Sequence, residues 1–344
     1  MTLIKDMVDT ILHMTTQVES TVGFSDAVDE GLAAKEARET YEARAFNPSS
    51  LCNPCMVQDA FRRLHDRWDS PEVFKPGTLR LFAAGHAIHD HYQSVILPAV
   101  DHTYGQLWGL WECAGCHCVV EGFRPAGRCP NTLVRLTPDN KRVETSCADV
   151  LTRARVTWVY KEISVRRPDP LKRGREYGVR GRADGIWVYP NQTWRVIEVK
   201  SKDRDQFDSL ARVKGPDTGT FLLKPRQGPL PLEKDVYQGK LYPAVLCELA
   251  RRGEFPLKAE ECLGTLLLYV DRERLIERPF EIPWDPGFLT EAVDTYVNSV
   301  HTLVKMETPL AGPKACSDRN AERAKRCPWR LECFPYKRPP KKNK

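Results

Sequence analysis

No apolar run in this 344-residue chain approaches the roughly 20 residues that a membrane-spanning helix needs. An integral helical membrane protein is therefore not expected. The first ten residues, M-T-L-I-K-D-M-V-D-T, carry acids early and lack the basic-then-apolar layout of a secretory leader. An intracellular setting follows as an expectation: the cytoplasm, or a host's cytoplasm if the chain is phage-encoded. There disulfides are uncommon, so the 12 cysteines suggest metal ligands or free thiols. A strong charge of one sign is also missing. Lys and Arg number 52 against 46 Asp and Glu, a net charge of +6, which is compatible with a nucleic-acid partner without requiring one.

What is present is a globular balance, 41% hydrophobic and 28% charged. The length suffices for a substantial core, as one large α/β domain with insertions or as two smaller domains. The most informative stretch runs from Gly181 to Lys202. Gly185 to Tyr189 and Trp194 to Lys200 are rich in aromatic and β-branched residues, and Pro190 to Thr193 between them has turn chemistry. Strand alternation puts Glu198 and Lys200 on one face with Ile197 and Val199 on the other. Asp184 then lies across from Glu198 to Lys200. An exposed hairpin could carry these charges as a solvated face. The V-I-E-V-K context is core-like, however, and charge there is costly unless paired or metal-bound. Two carboxylates with a lysine suit metal-assisted phosphodiester hydrolysis: oxygen ligands for Mg²⁺ or Mn²⁺, and a cation to orient water or stabilise developing charge.

Residues 1–45 read as a peripheral helical segment, with a solvated helix over Val28 to Arg44. Cys52 and Cys55 stand where a loop meets a helix running to about Arg67. Leu79 to Leu97 reads as a helix carrying His86, His89 and Gln93. Cys113 and Cys116 have zinc-knuckle spacing, and Cys129 follows. Cys118, His117 and Cys147 are candidates for a fourth zinc ligand, since Thr132 stands where a second C-x-x-C would place a cysteine. Trp158 to Val165 alternates as one strand. Arg166 to Tyr177 is a basic loop, either a solvated turn or a phosphate contact. Asp203 to Glu233 has the composition of a long surface loop. A helix opens at Glu233, places Gln238 and Tyr242 on one face, and meets Pro243, which should kink it or mark a junction within it. Leu263 to Asp271 reads as a buried strand with Arg278 to Ile282 beside it, and Pro286 to Met306 as a helix. Cys247 and Cys262 read as single buried thiols. Cys316, Cys327 and Cys333 close the chain before a basic tail, 337–344.

The order His89, Asp184, Glu198-Val199-Lys200, then Gln238-x-x-x-Tyr242 resembles the RecB-like branch of the PD-(D/E)XK nuclease superfamily. One cysteine far upstream with three near the C-terminus is similar to its iron–sulfur members, the exonucleases associated with CRISPR adaptation and the AddB-type recombination nucleases. The resemblance covers roughly Phe46 to Tyr336. It implies a restriction-endonuclease-like α/β core, a central mixed β-sheet flanked by helices, formed by 46–106 and 156–310. A cysteine-rich, zinc-knuckle-like insertion at 107–155 and an iron–sulfur staple at 311–336 are added to it. His89, Asp184, Glu198 and the Val199 carbonyl would hold Mg²⁺ or Mn²⁺, Lys200 would assist the attacking water, and Gln238 and Tyr242 would contact substrate. Cys55 or Cys52 with Cys316, Cys327 and Cys333 would bind a [4Fe–4S] cluster, with zinc as the alternative. The implied activity is a DNA exonuclease on single-stranded ends, with recombination, replication or CRISPR adaptation proteins as partners. A structure- or sequence-selective endonuclease and a non-catalytic DNA-binding protein are the alternatives.

Overall fold

The structure is a computed structural model that describes residues 45–51, 55–65, 76–127, 129–136, 142–147, 158–210, 212–214, 221–223, 230–312, 316, 327 and 329–334. The expected helix at Val28 to Arg44, Cys52 and the basic tail lie outside these residues. The chain divides into two compact units, Met1–Ala43 with Asp69–Ala87, and Arg44–Trp68 with Ile88–Lys344. Within the first, the described residues are the opening turns of helix α2. All that follows concerns the second.

Its helices include α1 (Met56–Leu64), the end of α2 (Pro76–His91), α3 (Glu233–Arg251) and α4 (Thr295–Lys305). The strands are β1 (Gln106–Cys113), β2 (Val119–Phe123), β3 (Thr132–Leu136), β4 (Arg142–Ser146), β5 (Trp158–Lys161), β6 (Ile163–Arg167) and β7 (Val179–Ala183). They continue with β8 (Gly185–Val188), β9 (Trp194–Lys202), β10 (Arg212–Lys214), β11 (Phe221–Leu223), β12 (Cys262–Asp271) and β13 (Glu277–Pro283). Seven strands form a central sheet in the order β13-β12-β9-β8-β1-β2, with β5 also beside β1. The sheet is mixed: β9 and β12 run parallel, and the other pairs are antiparallel. The apolar text of β12 is what a parallel strand covered on both faces requires. The expected mixed α/β sheet flanked by helices is present, and segment 107–155, read as an insertion, gives β1 and β2 to it.

One face of the sheet packs under α3, where Leu241, Tyr242 and Val245 meet Ile186, Trp194 and Val196. The opposite face buries Ile197, Val199 and Leu268 with Tyr92, Leu107 and Trp111. Successive residues of β9 thus feed two cores, and Glu198 falls on the α3 side. Helix α3 continues through Pro243. A proline there leaves the carbonyl four residues earlier without its helical donor. That carbonyl, Gly239, instead accepts a 2.6 Å hydrogen bond from the Thr265 hydroxyl of β12, so the defect becomes a joint between helix and sheet. Helix α1 packs on α4, joined by a 2.7 Å bond from the Tyr296 hydroxyl to Asp59.

Three expectations need correction. The single strand over Trp158 to Val165 is two strands broken at Glu162. Segment 203–233 carries regular structure among its described residues: Asp203 caps a helix at Arg204–Ser209, accepting from the Gln206 N–H at 2.8 Å, and β10 and β11 pair antiparallel. The Leu79 to Leu97 helix is α-helical to His91 and then widens into a π turn, Tyr92–Ile96. Among the described residues no helix is long and apolar enough to cross a membrane.

Candidate metal centres

Two kinks make the first site. A single residue, Glu162, separates β5 in the sheet from β6, and a single residue, Asp184, separates β7 from β8. Strands β6 and β7 pair with each other as a ribbon that leaves the sheet. The ribbon register, Ile163 opposite Ala183, continues to Glu162 opposite Asp184. The register of β8 and β9, Gly185 opposite Ile197, continues to Asp184 opposite Glu198. The hairpin is therefore centred on Asn191, and Glu162, Asp184 and Glu198 stand at successive positions across three chain passes.

Asp184 is fixed from several sides. One carboxylate oxygen accepts the Val199 N–H at 2.7 Å, the other lies 3.4 Å from His89 Nδ1, and its backbone carbonyl accepts from Gln93 Nε2 at 3.0 Å. His89, Glu162 and Asp184 each present a ligand atom, and all these atoms lie within 4.8 Å of one another. His89 was anticipated. Glu162 was not, although the sequence carried a signal: buried Trp158 and Tyr160 alternate in one phase, Ile163 and Val165 in the other. A phase slip in a strand marks a bend, and the residue at the slip is the acid. Val199 reaches the site through its N–H.

Glu198 is 2% exposed. One oxygen accepts from Lys200 Nζ and from Gln238 Nε2, each at 2.6 Å, and Gln238 also lies 3.1 Å from the Tyr242 hydroxyl. The other oxygen, Oε2, is buried with no hydrogen-bond partner among the described residues. Burial, with Asp184 adding, outweighs Lys200 and pushes the Glu198 carboxyl up to about 8. Burial opposes the charge on Lys200, but Glu198 and Asp184 outweigh it and hold the ammonium above its usual range. His89 behaves alike: burial works against the imidazolium, and the Asp184 contact lifts it above the ordinary value. Beside these, the Tyr269 hydroxyl donates to Asp235 at 2.7 Å and accepts the Leu232 N–H at 3.0 Å, and Lys202 reaches Asp235 at 3.3 Å. These bonds pin the start of α3 to the sheet, so that Gln238, one turn on, meets Glu198. Oxygen donors plus one imidazole, with an orphaned buried carboxylate oxygen, fit a hard divalent cation.

The second site gathers five thiols. Cys113 lies 3.4 Å from Cys147, Cys116 3.5 Å from Cys129, and Cys118 3.6 Å from Cys129. Four thiolates about 2.3 Å from one zinc ion stand about 3.8 Å apart, so the spacing fits a single ion. Cys113, Cys116, Cys118 and Cys129 already lie mutually within 4.8 Å. Cys147 adjoins the same set, so both cysteines weighed as a fourth ligand are present. His117 is not: its ring lies 2.6 Å from Glu112 on the surface. Burial opposes the Cys116 thiolate, but hydrogen bonds from Cys118, Cys129 and Asn131 outweigh it and bring the thiol down to about 6. Burial and the Cys116 and Cys129 sulfurs push Cys118 up to about 12.

The terminal cysteines also converge. Cys55, Val57, Phe61 and Trp329 are buried together, and Cys327 and Cys333 pack against them. Burial raises the Cys327 thiol, and Cys55 and Cys316 are near enough to raise it further. Cys247 and Cys262 are buried free thiols, as expected, and the Cys247 thiol donates to the Ala259 carbonyl at 3.7 Å.

No family model matches the chain, and no curated protein matches it. Among solved structures, the crystal structure of SSO0001 aligns over 90% of this chain and 95% of its own, at 14% identity and a TM-score of 0.38.

Proposed function

We propose that the protein is a metal-dependent DNA nuclease that hydrolyses phosphodiester bonds, acting as an exonuclease on single-stranded ends. The observation that carries this reading is the orphaned Oε2 of Glu198, a residue bonded to Lys200 and standing in register with Asp184, which itself groups with Glu162 and His89. A structural salt bridge would satisfy both carboxylate oxygens, since an unpartnered buried carboxylate is among the costlier defects a core can hold. This site leaves one oxygen without a partner and keeps a lysine on the other. The resemblance to RecB-like PD-(D/E)XK nucleases supports the same roles.

His89, Asp184, Glu198 and Glu162 would hold Mg²⁺ or Mn²⁺, which when bound polarises a phosphate and lowers the pKa of a water. Lys200, held charged by Asp184 and by Glu198 once the latter is ionised, orients the attacking water and offsets charge gathering on the phosphate. Gln238 keeps the Glu198 carboxylate in a fixed rotamer, and Tyr242 keeps Gln238 in place. Cys113, Cys116 and Cys129 with Cys118 or Cys147 are a zinc site that ties β1 to the segment after it. Cys55, Cys316, Cys327 and Cys333 are the thiolates of an iron–sulfur cluster joining the two ends of the core, and anaerobically purified protein should be brown, with broad absorbance at about 400 nm.

The test is cleavage of end-labelled single strands by purified protein with Mg²⁺ or Mn²⁺, beside Asp184→Ala and Lys200→Ala. Cleavage by the wild type that chelator removes, metal restores and both variants lack is the expected result. Variants that still cut would sink the assignment.

A further inference from the structure

The second metal centre gathers one sulfur more than a zinc ion takes. Zinc in a closed structural site binds four ligands in a tetrahedron, and here Cys113, Cys116, Cys118, Cys129 and Cys147 come together. Four of them are built as a clasp. Cys113 and Cys116 supply the knuckle at the end of β1. Cys129 and Cys147 flank the β3–β4 hairpin, and the Cys147 N–H donates to the Asn131 carbonyl at 2.8 Å, closing the hairpin's base. Cys113, Cys129 and Cys147 are 0%, 1% and 0% exposed. Two of the clasp's sulfurs also receive N–H donors, Cys113 from Gly115 at 3.4 Å and Cys116 from the Asn131 side-chain amide at 3.5 Å. Such donors favour the thiolate, the form that ligates a metal.

Cys118 is the fifth. It stands directly before β2, and its side chain is only half-buried, so a small solute reaches it from solvent. Cys116 is half-buried too, but it carries the Asn131 contact. The Cys118 sulfur lies within 4.8 Å of those of Cys113, Cys116 and Cys129, and 3.6 Å from Cys129. A disulfide sets its sulfurs about 2.05 Å apart, so this pair closes by an approach of about 1.5 Å. The set thus combines a buried four-sulfur clasp with an accessible thiol already beside one of its ligands.

We propose that Cys118 is a site of reversible oxidation by hydroperoxides that opens the zinc clasp formed by Cys113, Cys116, Cys129 and Cys147. In the first step the Cys118 sulfur attacks the peroxide: an S–O bond forms, the O–O bond breaks, and water leaves a sulfenic acid behind. In the second the Cys129 sulfur attacks the Cys118 sulfur: the S–S bond forms, the S–O bond breaks, and a second water leaves. Counted as thiols, the two cysteines lose two electrons and two protons, and one hydrogen peroxide becomes two waters. Cys113, Cys116 and Cys147 remain, three sulfurs where a closed site needs four, and zinc dissociates. The β3–β4 hairpin then loses its metal tie to β1, and a dithiol reductant restores it. This switch rests on zinc occupying the second centre and is independent of what the first centre does.

The experiment uses the zinc-loaded full-length protein, freed of reductant and treated with hydrogen peroxide. Released zinc is followed with a chromogenic chelator, and disulfides are mapped by mass spectrometry after alkylation. The wild type should release about one zinc per chain, carry a Cys118–Cys129 bond, and rebind zinc after dithiothreitol. Cys118→Ser should hold the wild-type zinc content in reductant, because Cys147 completes the four ligands, and should keep that zinc through the same peroxide treatment. Circular dichroism establishes that the variant folds; if it does not, the bond mapped in the wild type decides. A wild type that keeps its zinc under peroxide, or loses it with a different pair of cysteines joined, overturns the switch and leaves the zinc reading intact. So does a folded Cys118→Ser variant that lacks zinc in reductant, which makes Cys118 a ligand, or one that releases zinc as the wild type does. A wild type that binds no zinc overturns the zinc reading and the switch with it.

Discussion

Metal binding at the first site should depend steeply on pH, and Glu198 sets the slope. Its carboxyl is held at about 8, so at neutral pH most of the metal-free protein carries a proton there. A divalent cation needs the carboxylate, and each cation bound displaces that proton. Below the raised pKa the apparent affinity falls about tenfold per pH unit. With a pKa of about 8, about one molecule in 100 is ionised at pH 6 and half at pH 8, so the apparent Kd for Mn²⁺ should weaken about 50-fold between them. His89, which must be neutral to ligate and is also held above its ordinary range, steepens the loss at the acid end. The sign for stability is opposite. A carboxyl with a raised folded pKa makes the folded state hold a proton that the unfolded chain has released, so the metal-free protein loses stability as pH rises from the ordinary carboxylate range towards 8. Isothermal titration with Mn²⁺ at pH 6, 7 and 8, on the wild type and Glu198→Gln, checks the affinity. Thermal melts of the apo forms check the stability. A Kd that moves less than about threefold, or a slope that Glu198→Gln retains in full, would refute the reasoning, since Glu198 supplies the larger part of the effect and His89 only its acid end.

Glu162→Gln should weaken Mn²⁺ binding by about 10–100-fold in the same titration while leaving the thermal midpoint within a few degrees, because it loses a ligand or ligand support without opening a cavity. Gly181→Ala should cost about 1–3 kcal/mol by overpacking, seen in a denaturant melt, since a Cβ there would come within 2.7 Å of the Tyr242 ring. Cys129→Ser should release zinc, measured as metal content per chain. Cys118→Ser and Cys147→Ser distinguish the fourth ligand: the substitution that lowers zinc content marks it, and loss in neither shows that one thiol replaces the other.

The hairpin was legible because two short-range signals agreed, turn chemistry at Pro190 to Thr193 and strand-like text on either side. Alternation then placed Glu198 and Lys200 together without any knowledge of the sheet. Gln238 was legible as a helix-face partner of Tyr242, but that it bonds Glu198 depends on the anchoring of α3 through Asp235 and Tyr269, which is long-range and leaves no local mark. Glu162 escapes the sequence reading because the run from Trp158 to Val165 reads as one strand. Its phase slip is visible in the spacing of aromatic and branched residues, yet a slip has meaning only once both halves are known to be buried. How α3 continues through Pro243 is not legible for a similar reason: the donor that satisfies Gly239 comes from Thr265, on a strand distant in sequence. Cys247 and Cys262 were legible as buried thiols from the apolar residues around each. The convergence of Cys55 with Cys316, Cys327 and Cys333 was legible from the resemblance, and not from composition or spacing.

The central claim, that the carboxylates at the two kinks and on β9 cut DNA, is tested most directly by incubating the metal-loaded protein with linear and circular single-stranded DNA of the same sequence. The linear strand should be degraded from its ends in Mg²⁺ or Mn²⁺, the circle should persist, and Asp184→Ala should leave both intact. Degradation of the circle would contradict the exonuclease assignment, and an intact linear strand with metal bound at the site would contradict the nuclease itself.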